Sequence, residues 1–522
     1  MKTYINKYYI LLLLGSLGLI ASCKKYINEG PIDSPTNDNY WVTERAAESG
    51  LAGAYGLLRT ALTNSRAYFV MGDATANEFI FNSSNWTLAD LAPAYNFNFA
   101  YEPYEGELND WTPFYQAISQ CNLILSKVPA IPASGFTDDP AATKNEILGE
   151  AYFVRAYCYY YISQVWGQPV IVTQAYTDPI NAAPVPRSTT AAGFAQAASD
   201  LLTSIKYLQY GYNNSANIAV QANKGAAFAL LAKTYLWQKQ YQLASSAADS
   251  VIMNGGYKLE SGAIYGNIFK GHDPESIFEI NMIYSPNQNE AQPAEYNNTT
   301  GTSGVFSQFL AAPFVFGKDP GTSIWWVNTD LVTSLYKHTP VDPHIGPVID
   351  TTDVRVKATF YGLHTSAPMM VKYSNVIYQQ PAQQADPFVS NNMVLLRLAD
   401  TYLVKAEADV NLGNISDADM YVNKVRERAG LKDSVTTNPK QMMYLIMDER
   451  GREFFGEGTW FFDLYRTGLI LDPGYDNAID GYLPARTGND NAGFQWPLNL
   501  RTLLPQDPLL TQNPYWALAS QN

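Results

Sequence analysis

Two amphipathic helices joined by a short glycine turn constrain the fold of this chain more than any other feature. The first carries an apolar stripe at offsets of 4, 7, 8, 11 and 15 from its first member, formed by Leu395, Ala399, Tyr402, Leu403, Ala406 and Val410. Gly413 suits the end of that helix. Ser416, with Asp419 three residues later, suits the start of a second helix that Gly430 closes. So short a connection predicts an antiparallel helical hairpin.

The same hairpin pattern occurs earlier in the chain, over residues 228–251. Ala232 and Ala244 are twelve positions apart there, as are Ala406 and Ala418 in the later hairpin. Small residues at matching places let paired helices approach closely, as in tetratricopeptide-like repeats. A further apolar helix is predicted over 149–167. Because one hairpin cannot bury its own stripe, the repeats predict a mostly α, tetratricopeptide-like scaffold of stacked helical hairpins.

The remaining segments predict long loops and minor β insertions in that scaffold. Residues 276–285 and 371–380 alternate in polarity enough to form short strands. Loops rich in Asn, Gly and Pro separate them. Cys121 and Cys158 fall on predicted apolar helices, where they are either two small buried residues or one disulfide bridge.

The N-terminus has the form of a targeting segment. A lysine-containing start is followed by an apolar run, 10–20, that is too short to span a bilayer. Small residues then precede Cys23, as at the processing site of a lipoprotein. We therefore expect a signal peptide over 1–22 and a lipid anchor with a flexible tether over 23–38. The alternative is an ordinary signal peptide with an incidental cysteine.

Two loop regions, 73–104 and 284–330, interleave amides with aromatic rings. A sugar presents an apolar C–H face that packs on an aromatic plane, and its hydroxyls need polar partners. The pattern thus predicts a carbohydrate site, although each ring could instead pack its loop onto the helical core. The expected ligand contacts are Asp73, Asn85, Trp86, Tyr95, Tyr101, Tyr296, Trp325 and Trp326.

Several of these segments together resemble one protein family. Residues 396–414, 422–431 and 449–468 are similar to the C-terminal signature of the SusD/RagB family, lipid-anchored nutrient-binding partners of outer-membrane transporters in Bacteroidetes. Further matches in the same order are 39–59, 111–125, 149–167, 227–256 and 496–516. Gly451 stands where the family more often carries a second arginine, which places one ion pair in doubt.

The resemblance implies one SusD-like domain over 39–522, with an N-terminal part over about 39–256 and a C-terminal part over about 257–522. It implies non-catalytic capture of an oligosaccharide at the outer membrane, with the lipid-anchored protein facing the cell exterior. It further implies delivery to a SusC-like TonB-dependent transporter, which the protein would close as a lid, and a ligand face on which the two loop regions meet. A peptide ligand, or a helical-repeat module that binds only protein, remains an alternative.

Catalysis is the main rival interpretation. Glu449, Glu453 and Glu457 are spaced four apart, and a pair of carboxylates serves glycoside hydrolases. A hydrolase places its pair on either side of the scissile bond, however, whereas these residues share one predicted helix. The nearby arginines Arg450, Arg452 and Arg466 favour a structural ion-pair network. A surface lipoprotein hydrolase stays the less favoured alternative.

No other chemistry is indicated by motif or charge. The four histidines, His272, His338, His344 and His364, have no metal-ligand spacing, and neither a GxSxG nor a phosphate-binding glycine loop occurs. We therefore expect no catalytic residues, metal or cofactor. The formal net charge of −14 argues against nucleic acid as a partner.

Overall fold

Helices alternate with a few short strands in a computed structural model of the chain. It describes residues 40–64, 67–81, 108–176, 182–283, 305–306, 309, 325–337, 348–380, 382, 385–479 and 492–519. The helices are α1 (Glu44–Thr63), α2 (Ala67–Gly72), α3 (Thr112–Lys127), α4 (Pro140–Val165), α5 (Thr190–Tyr207), α6 (Lys224–Trp237), α7 (Tyr241–Asn254), α8 (Thr329–Leu335), α9 (Val354–Thr359), α10 (Leu398–Asn411), α11 (Ile415–Arg428), α12 (Pro439–Glu453), α13 (Trp460–Thr467) and α14 (Pro514–Ala519). The strands are β1 (Phe79–Phe81), β2 (Ser276–Ile280), β3 (Trp325–Val327), β4 (Phe360–Tyr361), β5 (Met369–Met370), β6 (Val376–Gln380), β7 (Ala385–Val389) and β8 (Met393–Arg397).

The helices pack as a continuous series, which confirms the predicted mostly α hairpin scaffold. Helix α1 packs on α3, α3 on α4, α4 on α5, α5 on α6 and α6 on α7. The series continues from α7 to α10, and α10 packs on both α11 and α12. The four alanines of the two matched hairpins are all buried where their helices meet. Small side chains at these positions therefore permit the close approach that the spacing predicts.

The ends of the repeated hairpin follow local chemistry in part. Gly413 and Gly430 both adopt φ near +82°, the left-handed conformation that glycine tolerates best. The second helix, however, begins at Ile415 with Asn414 as its N-cap, so the expectation that Ser416 marks the start is wrong and Ser416 lies inside the helix. Asn414 precedes that helix and makes no capping hydrogen bond with its side chain.

The strands form four antiparallel pairs among the described residues: β1 with β3, β2 with β8, β4 with β5, and β6 with β7. The expected strands near 276 and 376 are thus present. Leu395 lies in β8 rather than on the helix whose stripe it was expected to begin. Leu396 pairs with Phe278 of β2, and this pairing delays the start of α10 to Leu398.

Two sequence expectations concern cysteines and the membrane. Cys121 and Cys158 are buried and free, which agrees with two small core residues. Within the described part of the chain, no helix is both long and apolar enough to cross a bilayer. The expected signal peptide, tether and lipidated Cys23 lie outside the described residues.

Candidate functional site

Each of the two loop regions expected to bind ligand contains one strand of the antiparallel pair β1–β3, so the two regions lie side by side there. Phe81, at the end of β1, is the pairing partner of Trp325, at the start of β3. The chain therefore leaves toward 82–107 at the same end of the pair at which it returns from 310–324. We call this strand pair the loop base. Its outward face carries Ile80, which is 43% exposed, directly opposite the partly exposed Trp326.

The inward face of the loop base belongs to the hydrophobic core. Trp325 is fully buried, and its ring lies 5.4 Å from that of Phe79 and 5.3 Å from that of Phe309. Alternation along a strand sends neighbouring side chains to opposite faces, so Trp326 points away from the core in which Trp325 is buried. The expectation that Trp325 contacts ligand is therefore corrected by its burial. Trp326 keeps a position from which a ring could meet a ligand.

Asp73 is also buried, and its side chain accepts a hydrogen bond from the backbone rather than facing solvent. Its carboxylate accepts the Gly458 N–H at 2.8 and 2.7 Å, while the Glu78 carboxylate accepts the Gly456 N–H at 2.8 Å. Burial raises the pKa of both carboxyl groups well above the usual range. The structure thus corrects the assignment of Asp73 as a ligand contact. The two acids tie the loop base to the turn that follows α12.

Five further residues were expected to contact ligand. Asn85, Trp86, Tyr95, Tyr101 and Tyr296 lie outside the described residues. Ile80 was missed by sequence reasoning. Alternation in Phe79–Phe81 is the signal that could have identified it, because a three-residue strand with a buried first residue exposes its second.

Beneath the loop base lies a buried network of charged side chains. Arg355 Nη1 donates to Glu449 at 2.6 Å and to Glu453 at 2.8 Å. Arg397 donates to Glu275 at 2.7 Å and to Glu457 at 2.9 Å, and it also pairs with Glu453. None of these six side chains is more than 4% exposed. We call this group the buried ion-pair network.

The network confirms the structural interpretation of the three glutamates but changes their partners. Arg452 pairs with Glu449 as expected. Arg450 instead pairs with Asp400 and Asp463, and Arg466 pairs with Glu407 and Asp463.

Two of the cations in the network, Arg355 and Arg397, come from segments distant in sequence, and sequence reasoning missed them. Arg397 carried a signal, because a charge inside the apolar run 393–398 must be paired when that run is buried.

The same geometry argues against a hydrolase at these glutamates. Burial alone would raise the pKa of Glu453, but Arg428, Arg397 and Arg355 outweigh it and hold the pKa well below its usual value. A general acid needs the opposite shift. Both carboxylate oxygens of Glu453 are also occupied by guanidinium groups. Glu457 lies beyond the end of α12 and is itself paired with Lys372 and Arg397.

Gly451 leaves no space for the arginine that is more frequent there in the resembling family. A Cβ at this position would lie 2.9 Å from Leu335 Cδ2 and 3.0 Å from Trp460 Cη2. These apolar side chains therefore replace one possible ion pair by packing. Among the described residues, no group of three His, Cys, Asp or Glu side chains is arranged to hold a metal ion.

The depressed pKa of Glu449 predicts a loss of stability in acid. Burial alone would raise it, but Arg355, Arg452 and Arg426 hold the pKa at about 2, below the unfolded value of 4.5. The stabilisation is therefore present above pH 4.5 and lost as pH falls toward 2. We expect the difference in unfolding free energy between the wild type and Glu449→Gln to narrow over this range, as measured by urea denaturation. The exposed Glu48→Gln is the control, and a Glu449→Gln difference independent of pH would contradict the prediction.

Comparison with known proteins gives a consistent result across the chain. Residues 360–516 match the family model described as the SusD family, and residues 49–236 match one described as starch-binding associating with outer membrane. The SusD-like protein P38 of Formosa agariphila is 27% identical over 99% of this chain and 100% of its own length. A SusD-like protein of Bacteroides ovatus is 23% identical over 85% of this chain and 80% of its own.

Solved structures share the fold. A SusD homologue from Bacteroides thetaiotaomicron superposes with a TM-score of 0.74 at 22% identity, covering 91% of this chain and 99% of that protein. NanU of Bacteroides fragilis gives a TM-score of 0.66 at 21% identity, covering 93% and 99% respectively. In both comparisons the shared fold covers more than nine-tenths of this chain.

Proposed function

This chain belongs to the SusD/RagB family of glycan-binding proteins associated with the outer membrane, and from that premise we propose that it captures an oligosaccharide without catalysing a reaction. The bound ligand passes to a SusC-like TonB-dependent transporter, over which the protein closes as a lid. Lipidation at Cys23 holds the protein on the exterior face of the outer membrane.

The loop base is the observation that carries this proposal. Pairing of Phe81 with Trp325 brings the roots of both aromatic loop regions together on one side of the scaffold. Rings and amides from two loops can then approach a single ligand. The outward faces of Trp326 and Ile80 supply an apolar surface at that position.

Binding on this surface would combine stacking with hydrogen bonds. The C–H face of a sugar ring packs on Trp326, and Trp86, Tyr95, Tyr101 and Tyr296 extend the aromatic surface from the loops. Asn85 supplies donor and acceptor groups for hydroxyls. The rigid support comes from below, where Glu78 accepts a backbone N–H of the 456–458 turn. This division into a fixed base and variable loops suits selective binding.

Calorimetry with the soluble chain, starting after Cys23, tests the proposal against panels of glycans and peptides. Trp326→Ala and Trp86→Ala should each weaken the binding of the responding glycan by about tenfold, because one stacked ring contributes about 0.5–1.5 kcal/mol beyond its buried area. The melting temperature should change little in the Trp326 variant, since that ring is partly exposed.

Two controls make the result specific. Tyr176→Ala removes an exposed ring outside the loop base and should leave binding intact. Trp325→Ala should instead lower the melting temperature, because that ring is fully buried. A panel response to peptides alone would replace the oligosaccharide by a peptide cargo. Unchanged glycan binding in both Trp326→Ala and Trp86→Ala would exclude this surface as the site.

A further inference from the structure

A cavity of about 510 Å³ opens between α1, α4, the 217–221 segment and the end of β2. It shares no lining residue with the loop base. Its volume falls in the range of about 300–1,000 Å³ that is usual for small-molecule sites. Nothing in the proposed oligosaccharide capture uses this cavity.

Carboxyl groups outnumber cations in the cavity wall. Glu48 and Glu146 are exposed at its edge, while Glu150 and Glu279 are buried in its wall. Arg59 is the lining cation, and its Nη1 lies 3.4 Å from the backbone oxygen of Asn281. Four carboxyl groups thus surround the space with one guanidinium group. The 217–221 segment adds amides but no titratable side chain to the lining.

Glu150 has an unusual position in this wall. Its side chain belongs to a residue only 3% exposed, and Oε2 accepts the Tyr55 hydroxyl at 2.5 Å. The Tyr55 oxygen itself accepts the Ala222 N–H at 3.0 Å, so the single hydroxyl proton is committed to Glu150. Within the described part of the chain, the second carboxyl oxygen of Glu150 has no hydrogen-bond partner. A buried acid therefore presents an unpaired carboxyl oxygen toward the cavity that it lines.

We propose that this cavity binds a small molecule that carries a protonated primary amine, with the ammonium group placed against Glu150. An ammonium group offers three N–H donors, one of which can pair with the free oxygen. Its charge also suits a wall in which carboxyl groups outnumber the single guanidinium group. A neutral sugar could supply a donor but not the charge. Both the site and the ligand chemistry go beyond the proposed oligosaccharide capture.

The proposal has a measurable consequence for protons. Burial raises the pKa of Glu150 to about 8; the Tyr55 hydrogen bond opposes this shift, and Glu146 adds to it. Glu48, Arg59 and Glu279 are the other charged or titratable groups in the lining. At pH 7 the Glu150 carboxyl group is therefore mostly protonated. An arriving ammonium favours the carboxylate, so binding releases the Glu150 proton to the buffer.

Calorimetry with the chain starting after Cys23 tests this at pH 7, with putrescine and glucosamine as amine probes and glucose as the uncharged probe. Titrations in two buffers of different ionisation enthalpy count the protons released. We expect binding of at least one amine with net proton release, and no comparable binding of glucose in this cavity. Binding of glucosamine alone identifies an amino sugar, whereas binding of both amines identifies the amine group itself as the recognised feature.

Glu150→Gln is the decisive variant, because glutamine keeps an acceptor for Tyr55 but cannot carry the charge. It should weaken amine binding by about tenfold or more and abolish proton release. Glu48→Gln, at the exposed edge, should have a much smaller effect. Absence of amine binding, amine binding without proton release in the wild type, or unchanged binding in Glu150→Gln would overturn the proposal. Trp326→Ala should leave amine binding intact, which separates this test from that of the loop base.

Discussion

Replacing Arg397 with methionine should destabilise the protein by about 3–5 kcal/mol, among the largest effects expected of any single substitution. Arg397 is 1% exposed and contacts three glutamates, Glu275, Glu453 and Glu457. Its guanidinium carbon also lies 4.4 Å from the centre of the Phe454 ring. Methionine preserves much of the side-chain volume but leaves buried carboxylates without a cation. The loss therefore reports on charge compensation more than on a cavity.

Urea denaturation at pH 7 measures this effect, and Arg45→Met is the matched control. Arg45 lies on the exposed surface of α1, where the same substitution should change the unfolding free energy by less than about 1 kcal/mol. Equal effects in the two variants would show that the buried ion-pair network contributes nothing specific. An unchanged unfolding free energy in Arg397→Met would also argue that these glutamates are not all ionised in the folded protein.

Gly458→Ala should be the second most damaging change, with an expected loss of about 2–5 kcal/mol. Gly458 has φ +72°, and an added methyl group would overlap the ring of Tyr68. The carbonyl of Gly458 also lies against Gly72, where a methyl group would overlap it in turn. The Gly458 N–H donates a hydrogen bond to the Asp73 carboxyl group. The backbones at Gly72 and Gly458 and the buried Asp73 side chain thus pack so closely that neither glycine has space for a side chain.

Gly468→Ala separates the two physical contributions. Gly468 has φ +77°, but no atom lies within 4 Å of an added Cβ, so this variant carries only the conformational cost of about 1–2 kcal/mol. Thermal and urea unfolding of both variants give the difference that is due to packing. We also expect Gly458→Ala to weaken glycan binding, because Asp73 and the neighbouring Glu78 support the loop base. Similar losses of stability at Gly458 and Gly468 would contradict the packing argument.

The buried ion-pair network and the loop base are connected through the 456–458 turn. Glu457 pairs with Lys372 and Arg397, and it lies between the two glycines whose N–H groups hold Glu78 and Asp73. The charged core therefore fixes the turn, and the turn fixes the strand pair from which the two aromatic loop regions depart. This arrangement explains why the glutamates, whose spacing in the sequence resembles that of a catalytic carboxylate pair, instead support the fold.

Local pattern was sufficient for much of the scaffold. The apolar period of 228–251 and 399–429 predicted both hairpins, and glycine at 413 and 430 predicted the ends of the two helices in the later one, because these features depend on neighbours within a few turns. The prediction that Leu395 begins the first helix was wrong, because an apolar run alone is consistent with either a strand or a helix. Its assignment to β8 required the pairing with β2, more than a hundred residues away in sequence.

The candidate site depended on contacts that no local pattern contains. The amino-acid sequence by itself determined the hairpin scaffold and the aromatic, amide-rich character of the loops. Only the tertiary structure decided that Trp325 is buried while Trp326 is partly exposed, that Asp73 holds a backbone N–H, and that distant Arg355 and Arg397 neutralise the glutamates. The physical reason is that helical periodicity is set by adjacent turns, whereas burial and charge pairing are set by segments that meet only when the chain has folded.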